Sequence, residues 1–68
     1  MFDQIRGNDI EAVLRDGTVV RPIAIPAGQD GWLDSVIIAF DEYDDQMVWN
    51  EDGTSMESSD LDIVALRN

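Results

Sequence analysis

The stretch "DIEAVLRDGTVVRPIAI" (9–25) sets two runs rich in β-branched residues on either side of Asp16-Gly17. Such side chains lose freedom in a helix and pack well on a pleated surface. An Asp-Gly pair between them favours a tight type I′ hairpin turn, so strands are expected at about 10–15 and 18–25. Pro22 cannot donate a ladder hydrogen bond and belongs at an edge or a bulge. With no cysteine to staple it, the fold must rest on packing of elements like these. A chain of 68 residues buries only about 60% of the surface its unfolded state exposes, which leaves room for one domain and one small core.

Further along, "PAGQDG" (26–31) reads as a loop. The segment "WLDSVIIAF" (32–40) fits helical spacing through Trp32, Val36 and Ala39 or Phe40. Its Val36-Ile37-Ile38 run favours a strand instead, at 35–41. "DEYDD" then turns into a strand over 46–50, with Met47 and Trp49 on one face. "EDG" (51–53) is a turn, followed by a short extended piece at 54–56, a loop or single helical turn at 57–60, and a last strand at 61–67. No internal repeat stands out. The pattern predicts a mainly β fold, a small bent antiparallel sheet or SH3-like barrel. A helix near 32–43 would instead give the α+β order of the ubiquitin-like β-grasp.

Charge narrows function. Fifteen acids face four arginines, with no lysine or histidine, for a net charge of −11. Residues 1–29 carry four acids and three arginines, whereas residues 30–68 carry eleven acids and one arginine. Direct binding to nucleic acid or an anionic membrane is excluded on that balance. The longest apolar run, "VIIAF" (36–40), is far short of the ~20 residues of a membrane span. "MFDQIRGND" lacks the basic and apolar segments of a signal peptide, so a cytoplasmic protein is expected.

Catalysis is not expected, because no histidine, cysteine or lysine is present to act as base or nucleophile. Nor is a dedicated metal or cofactor site. An EF-hand loop begun at Asp41 puts Tyr43 at a ligand position and Gln46 where glycine is needed. One aligned on Gly53 begins at Val48 and ends at Ser59. Arg15 and Arg21 should pair with acids such as Glu11 or Asp16, exposed pairs worth little. Trp32 and Trp49 are candidate core anchors; Trp32, beside a glycine loop, could equally anchor an interface.

The acids themselves remain. Some simply make turns, since Asp16, Asp30 and Asp52 each adjoin glycine. Turn-making does not account for the near-absence of positive charge from residue 30 onward, and solubility is met by a net charge of about 2–8 in magnitude. If Asp60 and Asp62 lie on a strand, they share a face at about 6.6–6.8 Å. Carboxylates on neighbouring strands and turns can then approximate a row of phosphates, and a Lys/Arg-lined groove would accept them.

"VLRDGTVV" (13–20) and "DLDIVALR" (60–67) resemble a pattern of very small phage-encoded proteins, in which a V-x-x-RDG hairpin precedes a tryptophan and a closing D-I-V-A-Y-R. Leu66 stands here in place of the tyrosine, and one residue, Leu14, separates Val13 from Arg15 where the pattern has two. The resemblance covers about 16 residues and implies a phage or mobile-element origin. Tiny, acidic, cysteine-free proteins from that setting are similar to anti-CRISPR and anti-restriction proteins that mimic DNA. The expectation is therefore a monomeric inhibitor of a basic DNA-binding protein, a CRISPR effector subunit or a similar nuclease. Its contact surface would comprise Asp41, Glu42, Asp44, Asp45, Glu51, Asp52, Glu57, Asp60 and Asp62, with Tyr43 as an aromatic contact. A phage accessory module, docking through a sheet edge or Trp32, is the alternative.

Overall fold

In the computed structural model, which describes residues 1–68, the chain runs through one short helix and six strands. These are α1 (Phe2–Ile5), β1 (Glu11–Leu14), β2 (Val19–Val20), β3 (Ile23–Ile25), β4 (Val36–Phe40), β5 (Gln46–Trp49) and β6 (Ile63–Arg67). They form two antiparallel three-stranded sheets, ordered β2-β1-β6 and β3-β4-β5. The fold is mainly β, as the pattern implies, but two open sheets replace a closed barrel.

Pro22 explains the division. The expected strand over 18–25 is interrupted at Arg21-Pro22, and the chain leaves the first sheet as β2 to enter the second as β3. Without an N–H, proline cannot continue the ladder, and both flanking strands are edges. Segment 32–43 contains no helix. Its β-branched run forms β4, the central strand of the second sheet, which excludes the β-grasp order.

The alternation of buried positions shows how the sheets make one core. Ala12 and Leu14 of β1, Val20 of β2, Ile37 and Ala39 of β4, Trp49 of β5 and Ile63 of β6 are buried together. Phe2 and Ile5 of α1 join this cluster, and the Phe2 N–H donates to the Glu51 carbonyl at 3.0 Å. A four-residue helix cannot stand alone, so these tertiary contacts hold it. Trp49 is fully buried, while Trp32 is half-buried beside the exposed Leu33. No helix is long and apolar enough to cross a membrane.

The β1–β2 turn departs from the expected type I′. Gly17 N–H donates to Leu14 C=O (2.9 Å), Leu14 N–H donates to Thr18 C=O (2.8 Å), and only Gly17 in the turn has a positive φ, +93°. A type I′ turn needs positive φ at both central residues. The observed form is a three-residue connection closed by a left-handed glycine. The same pattern recurs at 50–54, with Gly53 at φ +92°. The two glycines differ in surroundings. A methyl group at Gly17 meets open space, whereas one at Gly53 falls 2.5 Å from Met1 Sδ and 3.4 Å from Ile63 Cβ. Gly17→Ala should therefore cost about 1–2 kcal/mol, from backbone strain alone. Gly53→Ala should cost more, read as a larger drop in the urea midpoint. Equal losses would mean that Met1 yields without penalty.

Candidate acidic binding surface

Residues 41–45 repeat the turn of 14–18 and 50–54 with an aspartate in the glycine's place. Asp44 N–H donates to Asp41 C=O and Asp41 N–H to Asp45 C=O, each at 3.1 Å, with Asp44 at φ +63°. Aspartate tolerates this left-handed conformation better than most residues. The Asp41 carboxylate fixes the turn from inside, one oxygen accepting from the N–H groups of Tyr43 (2.8 Å) and Asp45 (2.9 Å). Asp16 accepts in the same way from Thr18 N–H (2.9 Å). Asp52 accepts from both the N–H (3.0 Å) and the hydroxyl (2.6 Å) of Thr54.

These bonds have an electrostatic consequence. The Thr18 backbone N–H, then its hydroxyl, hold the Asp16 carboxyl below the usual carboxylate range. The Thr54 hydroxyl, then its N–H, do the same for Asp52. Hydrogen bonding to the charged form favours ionisation.

The expected surface residues separate by environment. Glu42, Tyr43, Asp44, Asp45, Glu51, Asp52, Glu57 and Asp60 are exposed, and Asp41 is half-buried. Asp62 is different: its side chain is 17% exposed, it accepts from Ser55 N–H at 2.7 Å, and it lies 3.6 Å from Arg15. It is a structural, neutralised acid. The expected pairing of Asp60 and Asp62 on one strand face also fails. Ser59–Leu61 form a single 3-10 turn capped by Ser58, and β6 begins only at Ile63. Serine at an N-cap competes with extended backbone, which is why the strand starts late.

Two of the four arginines pair away from the expected surface. Arg21 pairs with Asp9 (2.8 Å) and Glu11 (3.7 Å), and Arg67 pairs with Glu11 (3.1 Å), all beside the first sheet. Of the nine expected surface acids, Asp62 alone has an ion-pair partner. The others do not form one continuous row. The 41–45 and 50–54 turns lie at opposite ends of β5. Glu51 and Asp52 share an open cavity of about 360 Å³, lined by no hydrophobic residue, with Asp34, Ser35 and Asn50. Asp41, Glu42 and Tyr43 line another, of about 330 Å³, with Thr18, Val19, Val20 and Phe40. No three carboxylates converge closely enough to hold a metal ion.

Asp34, Val19 and Phe40 are the neighbours that sequence reasoning missed. Phe40 had a readable signal, because a period of two counted from Ile37 and Ala39 turns it outward. Val19 and Asp34 join their cavities through tertiary contacts that local pattern does not encode.

Replacing Asp44 by glycine should raise the melting temperature, because it removes both left-handed strain and a charge from a crowded turn; a gain of about 0.5–1 kcal/mol is expected. The two lowered carboxyls set a pH effect. A group that ionises more readily in the folded chain stabilises it above the unfolded value near ~3.9 and loses that contribution as pH falls through the folded value. Thermal melts should therefore show Asp16→Ala/Asp52→Ala below the parent by a constant margin at neutral pH. The margin should shrink below about pH 4; one that widened in acid would reverse the assignment. No known protein family, curated protein or solved structure matches the chain, so its own residues carry the functional argument.

Proposed function

We propose that the protein is an inhibitor of the anti-CRISPR kind, a DNA mimic that occupies the Lys/Arg-lined DNA-binding site of a CRISPR effector or similar nuclease. The observation that carries this reading is the separation of charge. Three of the four arginines pair with Asp9, Glu11 and Asp62. Glu42, Asp44, Asp45, Glu51, Glu57 and Asp60 meanwhile stand exposed with no cationic partner. A uniform field of one sign costs stability in a small domain and gains it back only on meeting the opposite sign. The hydrogen bonds of Asp41 and Asp52 fix the backbone of the turns that carry these neighbours, so binding has only the exposed side chains to order there.

The mechanism is competition. Carboxylates fill the sockets that phosphates would occupy, and target DNA cannot engage. No chemistry at the surface is required, and no enzymatic activity is proposed. A second reading, an accessory protein-interaction module of a phage, is favoured by the exposed Val19, Phe40 and Tyr43, which charge mimicry alone does not need.

Glu42, Asp45 and Glu51 accept no hydrogen bond from the fold through their carboxylates, so they can be reversed without undoing a turn. Glu42→Lys/Asp45→Lys/Glu51→Lys takes the net charge from −11 to −5, two units for each of three positions. With a purified effector, inhibition should weaken on the order of tenfold or more, and the remaining binding should depend less steeply on salt. Unchanged inhibition by a folded triple variant would remove the DNA-mimic reading.

A further inference from the structure

The groove between β2 and the 41–45 turn has a property that the charge alone does not explain. Its floor is the buried Val20, and its walls are Val19, Phe40 and Tyr43, which are 41%, 54% and 77% exposed. The half-buried Asp41 and the exposed Glu42 also line it, and no basic side chain does. At about 330 Å³ it lies at the small end of the range in which ligand pockets occur. β2 is an edge strand, and Val19 sits opposite Val13, one position from the Leu14–Thr18 bond. Alternation of the ladder turns the Val19 N–H and C=O away from β1, toward the open side.

We infer that this groove receives an apolar side chain from a segment of the basic partner that carries arginine or lysine on either side of it. The inference rests on the proposed binding to a cationic protein and names what that protein presents. Charge complementarity selects the occupant: the groove holds two acids, Asp41 and the exposed Glu42, beside its apolar residues and no basic one, as a guanidinium or ammonium would require. A second copy of this chain is a poor occupant. It would bring the groove acids of two molecules of net charge −11 face to face. The outward Val19 N–H and C=O supply one pair of main-chain bonds to an extended segment, in the manner of strand addition. Aromatic and apolar contacts in the groove supply preference among basic partners, which the acids alone cannot.

The test uses the full chain, labelled with nitrogen-15 and titrated with three capped pentapeptides: Arg-Arg-Leu-Arg-Arg, Arg-Arg-Gly-Arg-Arg and Glu-Glu-Leu-Glu-Glu. The leucine-arginine peptide should shift the amides of Thr18, Val19 and Tyr43 and saturate at a concentration at least fivefold lower than the glycine peptide. The glutamate peptide should shift none of them. Val19→Thr/Phe40→Ser alters exposed residues and should abolish the leucine advantage while leaving weak arginine-dependent binding; should it unfold, Val19→Thr alone serves. Equal binding of the leucine and glycine peptides, or an advantage surviving in the variant, overturns the groove while leaving the phosphate-mimic reading intact. Binding of the glutamate peptide overturns the charge selection. A leucine advantage in a protein that fails to inhibit any effector supports the groove and counts against the inhibitor reading alone.

Discussion

Trp49 joins the two sheets. It lies on β5 of the second sheet, opposite Ile37, with no exposed surface, and its indole N–H donates to the Leu61 carbonyl at 2.7 Å. Leu61 ends the 3-10 turn that leads into β6 of the first sheet. One side chain thus supplies the largest apolar surface in the core and a polar link across it. An aromatic of this size buries about 150–250 Å², worth roughly 4–6 kcal/mol at ~25 cal/mol per Å². A domain of this length has a net stability of about 3–10 kcal/mol. The positions of both acidic turns of the second sheet follow from the strand that this residue anchors.

The three turns at 14–18, 41–45 and 50–54 show that the acidity has two origins. Asp16, Asp41 and Asp52 each accept a backbone N–H from a residue two positions on, and each belongs to a turn closed by a left-handed residue. Short polar side chains that satisfy nearby backbone donors are what such turns select. Local structure therefore accounts for these three carboxylates, and Asp62 is accounted for by Ser55 and Arg15. Glu42, Asp45, Glu51, Glu57 and Asp60 have no such role, and theirs is the charge on which the proposed function rests.

Much of the fold was legible in the residues. Val36-Ile37-Ile38 declared β4 against a plausible helical spacing, and Pro22 marked the place where β2 could not continue. What escaped was set by distant contacts. Nothing in "FDQI" signals a helix, because one turn is stable only when Phe2 and Ile5 are packed into the core. Asp16-Gly17 identified a hairpin but not its geometry, since the added residue of the three-residue connection depends on the register of β1 with β2. The candidate surface was legible as a composition, not as an arrangement. Runs of acids announce exposure, yet whether Asp60 and Asp62 share a face depends on where β6 starts, and Ser58 delays it.

The division of the acids between the two ends of β5 bears on the proposed mimicry. Four residues of strand extend about 14 Å, beyond the ~8 Å over which exposed charges act at physiological salt. Repulsion between the two patches is thus largely screened, while within each patch the charges remain close enough to act together. The arrangement limits the stability cost of a net charge that a small core could not otherwise bear. It also replaces a continuous phosphate row with separate anionic patches, one of them beside an apolar groove. A partner that recognises such a surface must itself offer separated cationic sites with something apolar between some of them. A uniformly basic channel would gain little from Val19, Phe40 and Tyr43, so a role for these side chains would make the interaction more selective than charge matching alone allows.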